Sequence, residues 1–78
     1  MREIKVLGPG CAKCKKLAEN VQEAIKETGK EMDFEYITDL EKILSFGVMM
    51  TPGLVIDGKV VATGRVHSVK DIINFINA

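Results

Sequence analysis

The apolar positions of the chain change period along its length, and each period names an element. Ile4, Val6 and Leu7 form a run broken only by Lys5, which predicts a strand over residues 3–7, covered on both faces and so central in its sheet. Leu17, Val21, Ala24, Ile25 and Thr28 recur at helical spacing, with Glu19, Glu23, Lys26 and Glu27 on the other side, so residues 12–28 are an amphipathic helix. Gly29 follows as a C′ glycine. Met32 to Tyr36 alternates with period two, a half-buried strand parallel to the first.

Thr38 with Glu41 reads as a capping box, opening a two-turn helix whose apolar face is Leu40, Ile43 and Leu44 and which closes at Gly47. Residues 48–53 form a loop, because Pro52 lacks a donor and disfavours helical geometry at Thr51. Leu54-Val55-Ile56 and Val60-Val61-Ala62 are antiparallel strands joined by Asp57-Gly58, a strong hairpin signal. Ser68 with Asp71 caps a last helix with a stripe of Val69, Ile72, Ile73 and Ile76, flanked by Phe75. The expected order is β-α-β-α-β-β-α, an α/β fold with a four-stranded mixed sheet and helices on both faces. Seventy-eight residues without repeat or linker are expected to make a single domain, 1–78.

Charge removes some function classes. Eleven Lys and Arg balance eleven Asp and Glu, so no net field draws the chain to nucleic acid or to an anionic membrane. The opening Met1-Arg2-Glu3 and the short first apolar run are neither a signal peptide nor a membrane span, and the expected compartment is the cytoplasm. Two cysteines in such a compartment point to redox or metal chemistry rather than to a structural staple.

Those cysteines are Cys11 and Cys14, after the first strand and the Gly8-Pro9-Gly10 turn, where the first helix begins. Only a thiolate attacks a disulfide. At its ordinary pKa of about 8.5 a thiol is roughly 3% ionised at neutral pH. Cys11 falls at the N-cap, where free backbone N–H groups and the helix dipole favour the anion, and Cys14 returns to the same helix end three residues later. Lys13, Lys15 and Lys16 surround the motif; they either help hold a thiolate or form a solvated face. Met49 and Met50 offer a soft contact surface, although one of them is expected in the core. His67 is most simply an N′ residue of the last helix, and Tyr36 a packed aromatic.

A CxxC opening the first helix, Thr51-Pro52 before the third strand, the Asp57-Gly58 hairpin and a closing helix together resemble the thioredoxin fold without its usual N-terminal strand. The chain is similar to the small thioredoxin-like redox-active disulfide proteins, also called glutaredoxin-like thioredoxins, whose motif resembles Gly8-Pro9-Gly10-Cys11-Ala12-Lys13-Cys14. The resemblance implies a thiol–disulfide oxidoreductase in which Cys11 is the nucleophile and Cys14 the resolving thiol. It also implies that Pro52 is cis and that the backbone of Thr51 pairs with an extended substrate; the residues' own chemistry adds Met50 as a substrate contact and Lys13 as a group that tunes the thiol. No cofactor beyond the Cys11–Cys14 redox pair is implied, and the implied partners are protein disulfides and a thioredoxin-reductase-type donor, with the protein a monomer. The chain departs from thioredoxins proper in Gly10 and Ala12-Lys13. It also departs in its first strand, which offers Lys5 and the more distant Glu3 where they bury an acid. Thr63-Gly64-Arg65 replaces the Gly-Gly-acid with which glutaredoxins hold glutathione, so glutathione is not expected as the main partner.

The competing reading is a soft-metal carrier taking Cu(I) on the two thiolates. Small copper chaperones also place a CxxC after a first strand, but they run β-α-β-β-α-β and end on a strand, unlike the order expected here.

Overall fold

A computed structural model describes residues 2–78. Its elements are β1 (Arg2–Leu7), α1 (Ala12–Thr28), β2 (Met32–Ile37), α2 (Leu40–Ser45), β3 (Gly53–Ile56), β4 (Lys59–Thr63) and α3 (Val69–Asn77), the order that the periodicities predict. The strands form one sheet in the order β2-β1-β3-β4, with β1 inside it. β1 runs parallel to β2 and antiparallel to β3, and β3 is antiparallel to β4. The β3–β4 turn is set by Asp57 (φ 51°) and Gly58 (φ 80°), both left-handed as a two-residue I′ hairpin requires.

Alternation along β1 divides the core between the two faces of the sheet. Ile4 and Val6 face one side with Leu17, Val21, Ile72 and Ile76, which places α1 and α3 there. Leu7 faces the other side with Ile37, Ile43, Val48 and Val55, under α2. Lys5, half-buried on that second face, pairs with Glu35 of β2, Nζ to Oε1 3.1 Å.

The second helix differs from expectation in two respects. Its N-cap is Asp39, not Thr38: the Asp39 carboxylate accepts from Glu41 N at 3.0 Å, and an anion there also suits the helix dipole better than a hydroxyl. Six residues make less than two turns, so Ile43 alone reaches the core, and Leu40 and Leu44 remain 63% and 53% exposed. The last helix is capped as expected, Ser68 Oγ accepting from Asp71 N at 3.2 Å. His67 is the N′ residue, its ring edge-on to Phe75 and its carbonyl accepting from Asn20 of α1.

Candidate functional site

The site is built where β1 runs into α1. Gly8 continues the β1–β2 ladder by one bond, donating its N–H to Ile37 O at 2.9 Å, and Pro9 and Gly10 then turn the chain, Gly10 at φ 96°. Cys11 has extended geometry (φ −69°, ψ 168°) while its carbonyl accepts the first helical bond from Lys15 N at 3.0 Å. It is therefore the N-cap, and its sulfur does what a serine or aspartate oxygen does elsewhere: Cys14 N–H donates to Cys11 Sγ at 3.4 Å. The first turn of α1 holds no acidic side chain, which leaves the sulfur as the anion for this helix end.

The two sulfurs are 2.7 Å apart and unequal in surroundings: Cys11 is exposed, whereas Cys14 is fully buried. The hydrogen bond from the Cys14 thiol, then the backbone N–H of Cys14, hold the Cys11 thiol below its ordinary pKa. Burial, followed by the proton it shares with Cys11, pushes Cys14 up. Charge is thus directed to the accessible sulfur, and the buried one keeps its proton. Lys13 acts on Cys11 through its backbone N–H, a weaker contribution than those of Cys14, and Lys13, Lys15 and Lys16 stand exposed around the motif.

Alkylation of the reduced protein is accordingly expected at Cys11 alone near neutral pH, with a rate inflection below the ordinary value of about 8.5. Rates followed by mass spectrometry across pH would show this. An inflection at or above about 8.5 would mean that the helix end does not stabilise the thiolate.

Pro52 packs beside the pair. The Thr51–Pro52 bond is cis, Pro52 is buried and Thr51 half-buried. The link between this loop and the cysteines is Gly8: a Cβ built there would overlap Cys14 Sγ, would lie 2.9 Å from Cys14 Cβ, and would be 3.9 Å from Pro52 Cα. Gly8 is the residue over which the resolving sulfur rests. The sequence shows it only as part of a Gly-Pro-Gly turn; its position two residues beyond Val6, on the same face of the strand, is the signal of a close approach. Neither Met49 nor Met50 is core, at 91% and 65% exposure, because Val48 fills that place in the loop. Met50 instead lies over Gly64, whose added Cβ would meet Met50 Cε at 3.2 Å, and Gly64 N donates to Pro52 O at 2.9 Å. The structure therefore gathers Cys11, Cys14 and Pro52 around Gly8, with Met50 on the exposed side of the same loop. Among the described residues no cluster of three or more His, Cys, Asp or Glu is placed to hold a metal ion.

Comparison with known proteins adds to this geometry. Residues 2–77 match the family described as thioredoxin domain. A thioredoxin of Methanothermobacter thermautotrophicus is 42% identical over 72 residues, covering 92% of this chain and 94% of that protein. A thioredoxin of Methanocaldococcus jannaschii is 36% identical over 69 residues, covering 88% and 79%. Among solved structures, thioredoxin-2, a component of malaria parasite protein secretion machinery, superposes with a TM-score of 0.74 over 99% of this chain and 82% of that one, at 19% identity. That last likeness is one of fold.

Proposed function

The chain belongs to the thioredoxin domain family, and on that premise we propose that it reduces protein disulfides by dithiol exchange through Cys11 and Cys14. The observation that carries the reading is the inequality of the two sulfurs: an exposed, N-capping Cys11 held toward thiolate by a buried, protonated Cys14. Cys11 thiolate attacks one sulfur of a substrate disulfide, forming a mixed disulfide and releasing the other substrate sulfur as a thiolate, which takes up a proton. Cys14 then loses its proton and attacks Cys11 Sγ. The Cys11–Cys14 bond forms, the bond to substrate breaks, and the second substrate sulfur leaves and is protonated. Two electrons pass from the protein dithiol to the substrate, and a thioredoxin-reductase-type flavoprotein would restore the dithiol. Thr51, Pro52 and Met50 form the loop wall that an extended substrate segment meets.

Trapping tests the assignment of roles. Cys14→Ser should accumulate a covalent adduct with a disulfide-bonded protein such as insulin, because the first attack proceeds and nothing resolves it. Cys11→Ser should accumulate none. Equal capture by both variants, seen on non-reducing gels, would overturn the order of attack. Turnover by the parent with Cu(I) withheld by a chelator separates this reading from a metal carrier.

A further inference from the structure

Resolution asks Cys14, the sulfur least able to ionise, to become an anion inside the protein. Burial holds its proton on, and once Cys11 is tied to substrate it no longer shares that proton. A buried thiolate without a hydrogen-bond donor is costly, so a donor near Cys14 Sγ would act on this step and on no earlier one. One group stands ready. Among the described residues, Tyr36 Oη is the one buried side-chain oxygen or nitrogen that has no hydrogen-bond partner.

The sheet places that hydroxyl. Tyr36 pairs with Val6 across the parallel β1–β2 ladder and shares its face, packing against the cluster beneath α1 that contains Val6, Leu17 and Ala18. Gly8, two residues beyond Val6, lies on the same face, and Cys14 Sγ rests where the Gly8 Cβ would be. Tyr36 is therefore the diagonal neighbour of the position over which the sulfur sits. Parallel strands lie about 4.8 Å apart and rise about 3.3 Å per residue, so the two positions are about 8 Å apart, a span that a tyrosine side chain can cover. The ionisable groups whose charge reaches the hydroxyl are Cys14 and, after it, Cys11; together with burial, which is the larger effect, they keep the phenol protonated and hence a donor.

We propose that the Tyr36 hydroxyl donates a hydrogen bond to the Cys14 thiolate as it forms, and so sets the rate at which the mixed disulfide is resolved. The inference rests on the dithiol-exchange reading above. Tyr36 keeps its own proton throughout; the Cys14 proton passes to the departing substrate sulfur, directly or through water, so charge and electrons balance as before.

Tyr36→Phe tests this with two readouts. Reduced protein mixed with Ellman's reagent releases one thionitrobenzoate when Cys11 attacks and a second when Cys14 resolves the adduct. The variant should keep the rate of the first release and slow the second by about ten- to a hundredfold, the loss expected for one hydrogen bond to a charged group. In a Cys11→Ser background, where no exchange is needed, the thiolate absorbance of Cys14 should move to higher pH when Tyr36→Phe is added. The unpartnered hydroxyl contributes nothing to the reduced fold, so thermal stability should be unchanged or raised. An unaltered second release together with an unaltered Cys14 titration would overturn the proposal. Absence of any first release from the parent would instead overturn the dithiol-exchange reading.

Discussion

Gly8→Ala is expected to cost on the order of 3 kcal/mol and to disable the site, although it adds a single methyl group three residues before Cys11 and leaves the Gly8 N–H to Ile37 O bond in place. The added Cβ overlaps Cys14 Sγ and approaches Cys14 Cβ to 2.9 Å, and neither atom has room to retreat. Cys14 is fully buried, and its backbone is fixed in the first turn of α1 by the Cys11 cap and by the Lys15 N–Cys11 O bond. Relief must come from lifting the start of the helix off β1. That movement separates the sulfurs and removes the hydrogen bond that contributes most to lowering Cys11. Denaturant unfolding should show the loss of stability, and the alkylation inflection of Cys11 should rise toward about 8.5. Cys14→Ala, which removes the clashing sulfur but keeps the Cβ, should rescue part of the stability in the double variant, a coupling that a double-mutant cycle reads directly. Parent stability in Gly8→Ala, with an unmoved inflection, would show that the strand and helix are not locked together at this point.

The alternation of hydrophobic residues made most of the fold legible, because each period is enforced by burial. β1 could be read as central from Ile4, Val6 and Leu7, and it lies between β2 and β3. Asp57-Gly58 and the Gly29 cap were legible because positive φ restricts the residues that fit. Asp39 is not legible as the cap because Thr38 and Asp39 are adjacent and either could cap; position within a tight loop, not residue type, decides between them. The exposure of Leu40 and Leu44 is illegible for a different reason. A helical stripe states which residues could be buried together, but a six-residue helix touching the sheet through Ile43 has only one contact to make. In the site, Cys11 and Cys14 announce themselves by spacing, whereas Gly8 and Tyr36 act across strand register. Gly8 contributes by what it lacks, and Tyr36 looks in sequence like any aromatic of a half-buried strand. Long-range register decides both, and its one local trace is the place of Gly8 two residues beyond Val6 on the same strand face.

Ile72→Ala should produce a large loss of a different kind, one that leaves the chemistry of the folded protein intact. Ile72 is fully buried in α3 and packs with Leu17, Val21 and Ile76 on the sheet face that α1 also covers. Truncating a buried isoleucine to alanine costs about 2–5 kcal/mol, through lost transfer energy and the cavity left behind. A domain of this size has about 4–12 kcal/mol in total at 0.05–0.15 kcal/mol per residue, so about a sixth or more of its stability rests on this one side chain. The midpoint of thermal unfolding should fall by roughly 8–40 °C, at 4–8 °C per kcal/mol for a small domain. Ile72→Val, which removes one methylene, should cost about 0.5–1.5 kcal/mol and fall in between. Cys11 is held by its own helix cap and by Cys14, so its alkylation inflection in the folded variant should match the parent. The two variants therefore separate stability from reactivity: Gly8→Ala moves both, Ile72→Ala only the first. An unchanged unfolding midpoint in Ile72→Ala would show that α3 contributes no packing to the sheet, and a shifted Cys11 inflection would show that α3 reaches the motif through α1.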